Sequence, residues 1–360
     1  MKKFLAGVAA IAVTAGTAQA GGLDRTGQGI DFMFEKGNVV ELRFGSVNAN
    51  ISGTVGGGAV SSGNIAENYT QVALGYKQEL NDKLSIGILF DQPFGADVAY
   101  PTGTGYPFQG ATASVDTNAI TAVLRYRVSD RVAVHGGVRA IRTEGRVNNL
   151  LITGPNIYNM TTDTQTDFGY LIGATYEIPD IALRAAITYN SEVEQDFTTQ
   201  QQIGMTTLPE APMTIVKPKS VNLDFQTGIA PGTLLMASAR WVNWSNFDIT
   251  PTGLGGASLV EYDSDTTTYS LGVGRQLTDK LSGSVTLGYE AGDGTLSGNL
   301  GPTDGFRSIT LGLKYQVAEG TAISGGVRRV WLGDATTSTV GGEFTNNTAT
   351  GFGVKLTHSF

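Results

Sequence analysis

The sequence predicts an all-β protein, a 14-stranded antiparallel transmembrane β-barrel, and three observations carry that prediction. Apolar residues recur with period two in stretches mostly of roughly 11 to 16 residues, longer than the about 5 to 6 usual in soluble sheets and suited to a tilted strand that crosses a bilayer. Connections alternate strictly between short turns and long loops, as outer-membrane barrels require of their periplasmic and external ends. Glycine is abundant, at 49 of 360 residues, while charged residues make up only 16%. That balance excludes disorder, which needs low hydrophobicity with high charge, and a helical bundle, because interior glycine costs a helix about 1 kcal/mol.

The first twenty residues stand apart. Lys2 and Lys3, the largely apolar run Phe4 to Ala15 and the small-residue site Ala18-Gln19-Ala20 read as a secretory signal peptide, residues 1–20. The run is short of the roughly 20 residues a membrane-anchoring helix needs. Removing Lys2 and Lys3 leaves 22 basic against 32 acidic residues and moves the formal charge from -8 to -10, a poor basis for binding nucleic acid. With no cysteine and only His135 and His358, thiolate metal sites, disulfides, thiol nucleophiles and a multi-histidine metal centre are all ruled out, so no metal and no cofactor are expected.

Residues 38–360 then divide into strands. Val40, Leu42 and Phe44 alternate with Glu41 and Arg43; Val72, Leu74 and Tyr76 with Gln71, Ala73, Gly75 and Lys77; Leu84, Ile86, Ile88 and Phe90 with Ser85, Gly87 and Leu89. Eleven more start near Val115, Arg131, Asp163, Asp180, Pro218, Gly232, Asp265, Lys280, Phe306, Gly320 and Ala349. Short turns fall at Asn81-Asp82, Ser129-Asp130, Pro179-Asp180, Pro231-Gly232, Thr278-Asp279 and Glu319-Gly320, rich in turn-forming residues. Long loops are expected at roughly 51–64, 92–114, 146–162, 197–217, 249–264, 293–305 and 335–348. Closure follows from the solvent: lipid cannot satisfy the amides of an open edge, at several kcal/mol each. A large β-sandwich also alternates but does not require this asymmetry of connections.

In this register Ile120, Leu124, Tyr170, Ile172, Leu271 and Leu311 face lipid, and Tyr76, Tyr126, Tyr176, Tyr189, Tyr289 and Tyr315 form interfacial girdles. Inward parity collects Arg43, Arg125, Arg139, Arg184, Arg240, Lys314, Arg328 and Lys355 with His135. Such cations suit an anionic head group, or pair with inward acids such as Glu41. Strict parity turns Arg142 and Arg146 outward. In the third strand, Pro93, Phe94 and Gly95 break the alternation where the strand should continue, because proline cannot donate to the ladder. A gap in the wall is the consequence, tolerated only where it lines a cavity.

The run from Tyr170 to Ile178, followed by Leu183 to Val193 and Asp196-Phe197, and the run Trp241-Val242-Asn243-Trp244-Ser245-Asn246-Phe247 resemble the central hairpin and the tryptophan-serine-aromatic segment after strand nine of the FadL family of long-chain fatty acid transporters. The Pro93-Phe94-Gly95 break and the C-terminal Phe360, closing a face of Phe352, Val354, Leu356 and His358, resemble it too. The resemblance implies a monomeric barrel in the bacterial outer membrane, inserted by the barrel assembly machinery and surrounded by outer-membrane lipid. It further implies passive uptake of hydrophobic compounds, most of all long-chain fatty acids, with a lateral opening at the strand-three kink. The family's N-terminal hatch falls on residues 21–37, shorter than usual and lacking an asparagine-proline-alanine element; Phe32, Met33 and Phe34 would plug the lumen. Ligand contacts are expected from Phe32, Met33, Phe34, Leu89, Leu171 and Arg139, with loop residues Ile152, Ile157, Tyr158, Ile203 and Met205 adding to the walls.

Other functions remain in view. A general diffusion porin for small anions would use the same cationic lumen. A lipid hydrolase lacks a Gly-x-Ser-x-Gly elbow, and an adhesin would work through its loops without importing anything. No enzyme activity is expected.

Overall fold

A computed structural model describes residues 23–152 and 156–360; the signal-peptide stretch lies outside the described residues. Fourteen antiparallel strands form the wall: β1 (Val39–Asn50), β2 (Tyr69–Glu79), β3 (Leu84–Asp91 and Gly95–Ala99), β4 (Thr112–Arg127), β5 (Val132–Leu151), β6 (Ile157–Thr162 and Gln165–Ile178) and β7 (Leu183–Asn190 and Val193–Ile203). They continue through β8 (Ala211–Lys217 and Ser220–Ala230), β9 (Thr233–Val242), β10 (Thr266–Gln276), β11 (Leu281–Glu290), β12 (Phe306–Ala318), β13 (Thr321–Leu332) and β14 (Thr348–Ser359). Each strand pairs with its neighbour in sequence. β14 closes on β1 along its whole length, from Val39 opposite Ser359 to Asn50 opposite Thr348. Beyond that ladder Asn38 and Phe360 exchange backbone hydrogen bonds of 3.2 and 3.0 Å, which ties the C-terminal aromatic to the start of the barrel.

The outer skin is apolar, as the alternation predicts. Phe168, Tyr170, Ile172, Leu271, Leu311, Phe352 and Val354 are all exposed, and for a strand with one face on lipid that exposure is the stable arrangement. The inward cations are in place as well. Arg125, His135, Arg139, Arg240, Arg328 and Lys355 are buried, whereas Arg142 and Arg146 point outward.

Two of the expected long loops are mostly strand. β5 runs on to Leu151, the outer part of β6 occupies Ile157–Thr162, and β7 and β8 continue to Ile203 and back from Ala211, so the wall between β5 and β8 stands tall above the membrane. The misreading has a physical source. In runs such as Thr198-Thr199-Gln200-Gln201-Gln202 both faces are polar, and a strand wetted on its outer face and hydrogen-bonded on its inner one shows no apolar period. Each extension also begins with a change of phase. Odd residues of β6 face inward up to Gln165 but even ones, Tyr158 and Met160, beyond it; β7 and β8 switch near Ser191 and Pro218. Between β6 and β7 and between β7 and β8 the pleat is thus reset without any change of register, whereas the β5–β6 pairing slips by one residue, from Gln165 opposite Thr143 to Thr161 opposite Arg146.

Candidate transport path

The N-terminal segment enters the lumen and ends in a single 3-10 turn, Asp31–Phe34, before β1. Phe32 and Met33 are fully buried and Phe34 nearly so. They pack with Ile30 against Leu89, Val123, Leu171 and Ala186 of the inner wall. Glycines make the room: a Cβ on Gly87 would lie 2.1 Å from Met33 Sδ, and one on Gly75 would lie 3.3 Å from the Phe32 ring. Lys77 Nζ anchors the end of the segment by donating to the carbonyls of Glu35 (2.6 Å) and Gly37 (3.0 Å). Five of the six residues expected to touch ligand therefore meet in one packed cluster across the lumen. The sixth, Arg139, lies in a polar layer.

In that layer Arg139 Nε donates to Thr121 Oγ1 (2.8 Å) and Nη1 to Asn190 Oδ1 (3.1 Å), while Nη2 is buried without a partner. Beside it Arg240 holds the N-terminal segment directly, through Asp24 Oδ2 (2.6 Å) and Gln28 Oε1 (3.2 Å), and the wall through Asn222 Oδ1 (2.6 Å). Most inward cations thus have assigned protein partners; Glu41, for example, is shared by Arg43 and Lys355.

The break in β3 is present where the sequence places it. The inner piece of β3 pairs with β2 only from Leu74 opposite Phe90 downward, and the outer piece pairs with β4 and, through Val98 opposite Ala66, with the segment just before β2, which leaves residues 69–73 of β2 without a ladder partner on that side. The N-terminal segment completes the wall here. Arg25 N donates to Pro93 O and Gly95 N to Leu23 O, both at 2.8 Å; Arg25 also pairs with Asp97 at 2.6 Å and stacks over the Tyr69 ring at 4.3 Å. Gly95 is required, since a Cβ there would lie 2.4 Å from the Arg25 guanidinium.

Above Arg25 and Phe94 opens an almost wholly apolar cavity, about 1040 Å³ of space between atoms with its open mouth included. Its walls include Leu23, Phe94, Met160, Phe197, Trp244, Phe247 and Tyr262. Trp244 is the centre of the aromatic part, with ring centroids of Tyr262, Phe247 and Phe94 at 5.1, 5.5 and 6.3 Å. Its turn is fixed from outside: Asp265 Oδ1 accepts from Ser245 Oγ (2.6 Å), Asn243 Nδ2 (2.8 Å) and Ser245 N (3.2 Å). Partial burial opposes ionisation of Asp265, but these donors prevail and hold its carboxyl below the usual range. Burial raises the Tyr262 phenol, which stays neutral against the cavity.

Two cations line this cavity, the outward-pointing Arg146 and the buried Lys217. Lys217, at 5% exposure, lines it and, among the described residues, makes no hydrogen bond or ion pair; Asp167 is the opposite charge nearest in effect. The sequence reading missed it, because Lys217 was placed at the end of a loop and the change of phase at Pro218 hides its parity. Tyr158 is buried in the same apolar cluster, Ile203 packs against it, and Ile152 lines a second space, whereas Ile157 is exposed and Met205 is 99% exposed and touches neither cavity. That second space is a vestibule of about 1820 Å³ between the external loops. It has Leu259, Tyr262 and Leu300 as a common wall with the apolar cavity.

A sealed fourteen-strand cylinder with a lipid-facing skin, filled by its own N-terminal segment and holding an apolar cavity beneath a vestibule, defines an outer-membrane channel for hydrophobic molecules. The family described as outer membrane protein transport protein (OMPP1/FadL/TodX) matches residues 31–359, and the chain belongs to it. Among solved structures it is similar to a Pseudomonas aeruginosa FadL homologue, with 16% identity, a TM-score of 0.75 and 92% of each chain covered. It is also similar to the Pseudomonas putida toluene transporter TodX, with 14% identity, a TM-score of 0.67 and 92% of each chain covered. The Ralstonia pickettii toluene transporter TbuX gives 15% identity and a TM-score of 0.66 over 92% of this chain and 94% of that one. No curated protein sequence matches. At these identities the likeness to solved structures is one of fold.

Proposed function

We propose that the protein carries long-chain fatty acids passively from the vestibule into the apolar cavity and out through a lateral opening at the β3 kink. The observation behind this reading is the cavity itself: apolar on nearly every wall, touched by one unpaired ammonium, and floored by Phe94 of the kink and Leu23 of the segment that plugs it. Burying a chain contributes about 0.8 kcal/mol per methylene. Lys217 supplies the carboxylate contact, a charge-assisted hydrogen bond worth about 1.5–3 kcal/mol. Phe32, Met33, Phe34, Leu89 and Leu171 act one level lower, as the plug, and Arg139 serves the polar layer between. Release requires Leu23 and Arg25 to leave Pro93 and Gly95, which opens the stretch of β2 that has no ladder partner.

The test is Lys217→Met. Oleate binding to the purified protein in detergent weakens about tenfold, corresponding to about 1.4 kcal/mol, while toluene binding is unchanged. Equal loss for both ligands, or for neither, contradicts the head-group role. If the neutral ligand alone binds the parent protein, the cargo is an uncharged hydrocarbon and Lys217 has no part in recognising it.

A further inference from the structure

The wall has a second discontinuity, between β6 and β7. The two strands keep one register throughout, with Leu171 opposite Asn190 below and Thr162 opposite Thr199 above. Between these points the ladder lapses: the last bonds are Ser191 N to Tyr170 O (2.9 Å) and Asp163 N to Thr198 O (3.0 Å), and residues 164–169 and 192–197 form no backbone pair with each other. The cause is the staggered change of phase. β7 has already turned Val193, Gln195 and Phe197 inward, while the facing stretch of β6 still keeps its odd residues, Gln165, Asp167 and Gly169, inward. With pleats out of phase, amides and carbonyls of facing residues cannot meet. β8 changes phase level with β7, so that ladder survives from Val193 opposite Lys217 onward.

Side chains close the seam. Gln195, fully buried, donates from Nε2 to Ile141 O (3.1 Å) across β6 and to Asp167 Oδ2 (3.3 Å), and its Oε1 has no partner. Val193 lies against Gly169, where a Cβ would be 2.6 Å from Val193 Cγ2. Directly behind are Phe197, Thr162 and Lys217, all walls of the apolar cavity. In front are exposed Thr166, Glu192, Glu194 and Asp196, just beyond the aromatic belt of Phe168 and Tyr170, so the freed backbone meets water and head groups and not hydrocarbon.

We propose that this seam is a side entrance to the cavity, bolted by Gln195, through which hydrophobic cargo passes from the outer leaflet surface without crossing the vestibule. Opening it breaks no ladder hydrogen bond, only the contacts of Gln195 and Val193. The entrance rests on the transport reading above, and it is tested by two measurements that fail separately.

The native sequence has no cysteine, so the pair Gly169→Cys and Val193→Cys can stitch the seam reversibly. In cells lacking their own fatty acid transporter, radiolabelled oleate uptake by the oxidised pair falls several-fold and returns on reduction, while the parent protein responds to neither treatment. Equal uptake in both states, with the disulfide confirmed on a gel and the barrel intact by heat-modifiability, overturns the entrance. Hydrogen exchange of the parent protein in detergent needs no cargo. The amides of 164–169 and 192–197 that point into the seam exchange much faster than those bonded to β5 and β8 or those of the flanking ladders, and faster still in Gln195→Ala; seam-facing amides as protected as the flanks overturn the proposal whatever is transported.

Discussion

Phe32 occupies the middle of the lumen with no exposed surface, and its ring sits where Gly75 and Gly87 leave the wall bare. Removing it leaves a void that the rigid wall cannot fill, so Phe32→Ala costs the packed segment about 3–5 kcal/mol and loosens the plug. Single-channel recording in planar bilayers then shows openings where the parent protein shows almost no steady current; an unchanged trace contradicts a plug built on this residue. These aromatics were legible in the sequence because three large apolar residues adjoin each other between a polar start and the first alternating strand. Lys217 was not, since its inward direction depends on a reset of the pleat that leaves no compositional mark.

At the scale of elements, the strands that cross lipid announce themselves, since their outer face must be apolar, and they were readable to within a few residues. Above the membrane that constraint disappears. The outer parts of β6, β7 and β8 are wet outside and hydrogen-bonded inside, so their sequence looks like loop although their backbone is fully paired with a neighbour on at least one side. The β3 kink was readable because proline removes a donor whatever surrounds it; how the N-terminal segment fills the gap depends on tertiary contacts and was not. The turn that carries Trp244 offers a test at this scale. Asp265 has its carboxyl pKa lowered in the fold, so its contribution is present above the ordinary value of 3.8 and is lost as pH falls through the lower folded value. Asp265→Ala therefore red-shifts Trp244 emission at neutral pH, and the parent protein shows the same shift only in strong acid. The shift is read in a version that keeps Trp244 alone, and a version that keeps only the exposed, lipid-facing Trp331 serves as the unchanging reference.

For the whole molecule, charge is distributed with a clear polarity. Loops 51–68, 100–111, 243–265, 291–305 and 333–347 contain no lysine or arginine, and the vestibule is lined by Glu261, Asp263, Glu290, Asp293 and Asp304. Such a mouth repels an anion at a distance, within a screening length of about 10 Å at 0.1 M salt. Uptake of a fatty acid anion thus accelerates as ionic strength rises, and uptake of toluene does not; identical salt profiles contradict an electrostatic barrier at the mouth. The barrel architecture was readable from alternation and connection lengths alone, whereas the cavity is assembled from β3 to β8, the N-terminal segment and two loops, and no local pattern reports such an assembly.

The central claim is that cargo travels through the apolar cavity of a closed barrel. Ala113 lines that cavity from β4, and Ala113→Trp places an indole in it without replacing any residue of the plug, the kink or the lipid-facing skin. Measured as radiolabelled oleate uptake in cells deprived of their own transporter, the parent protein restores import and Ala113→Trp, with a normal heat-modifiable band, does not. Equal import by the two proteins contradicts the account.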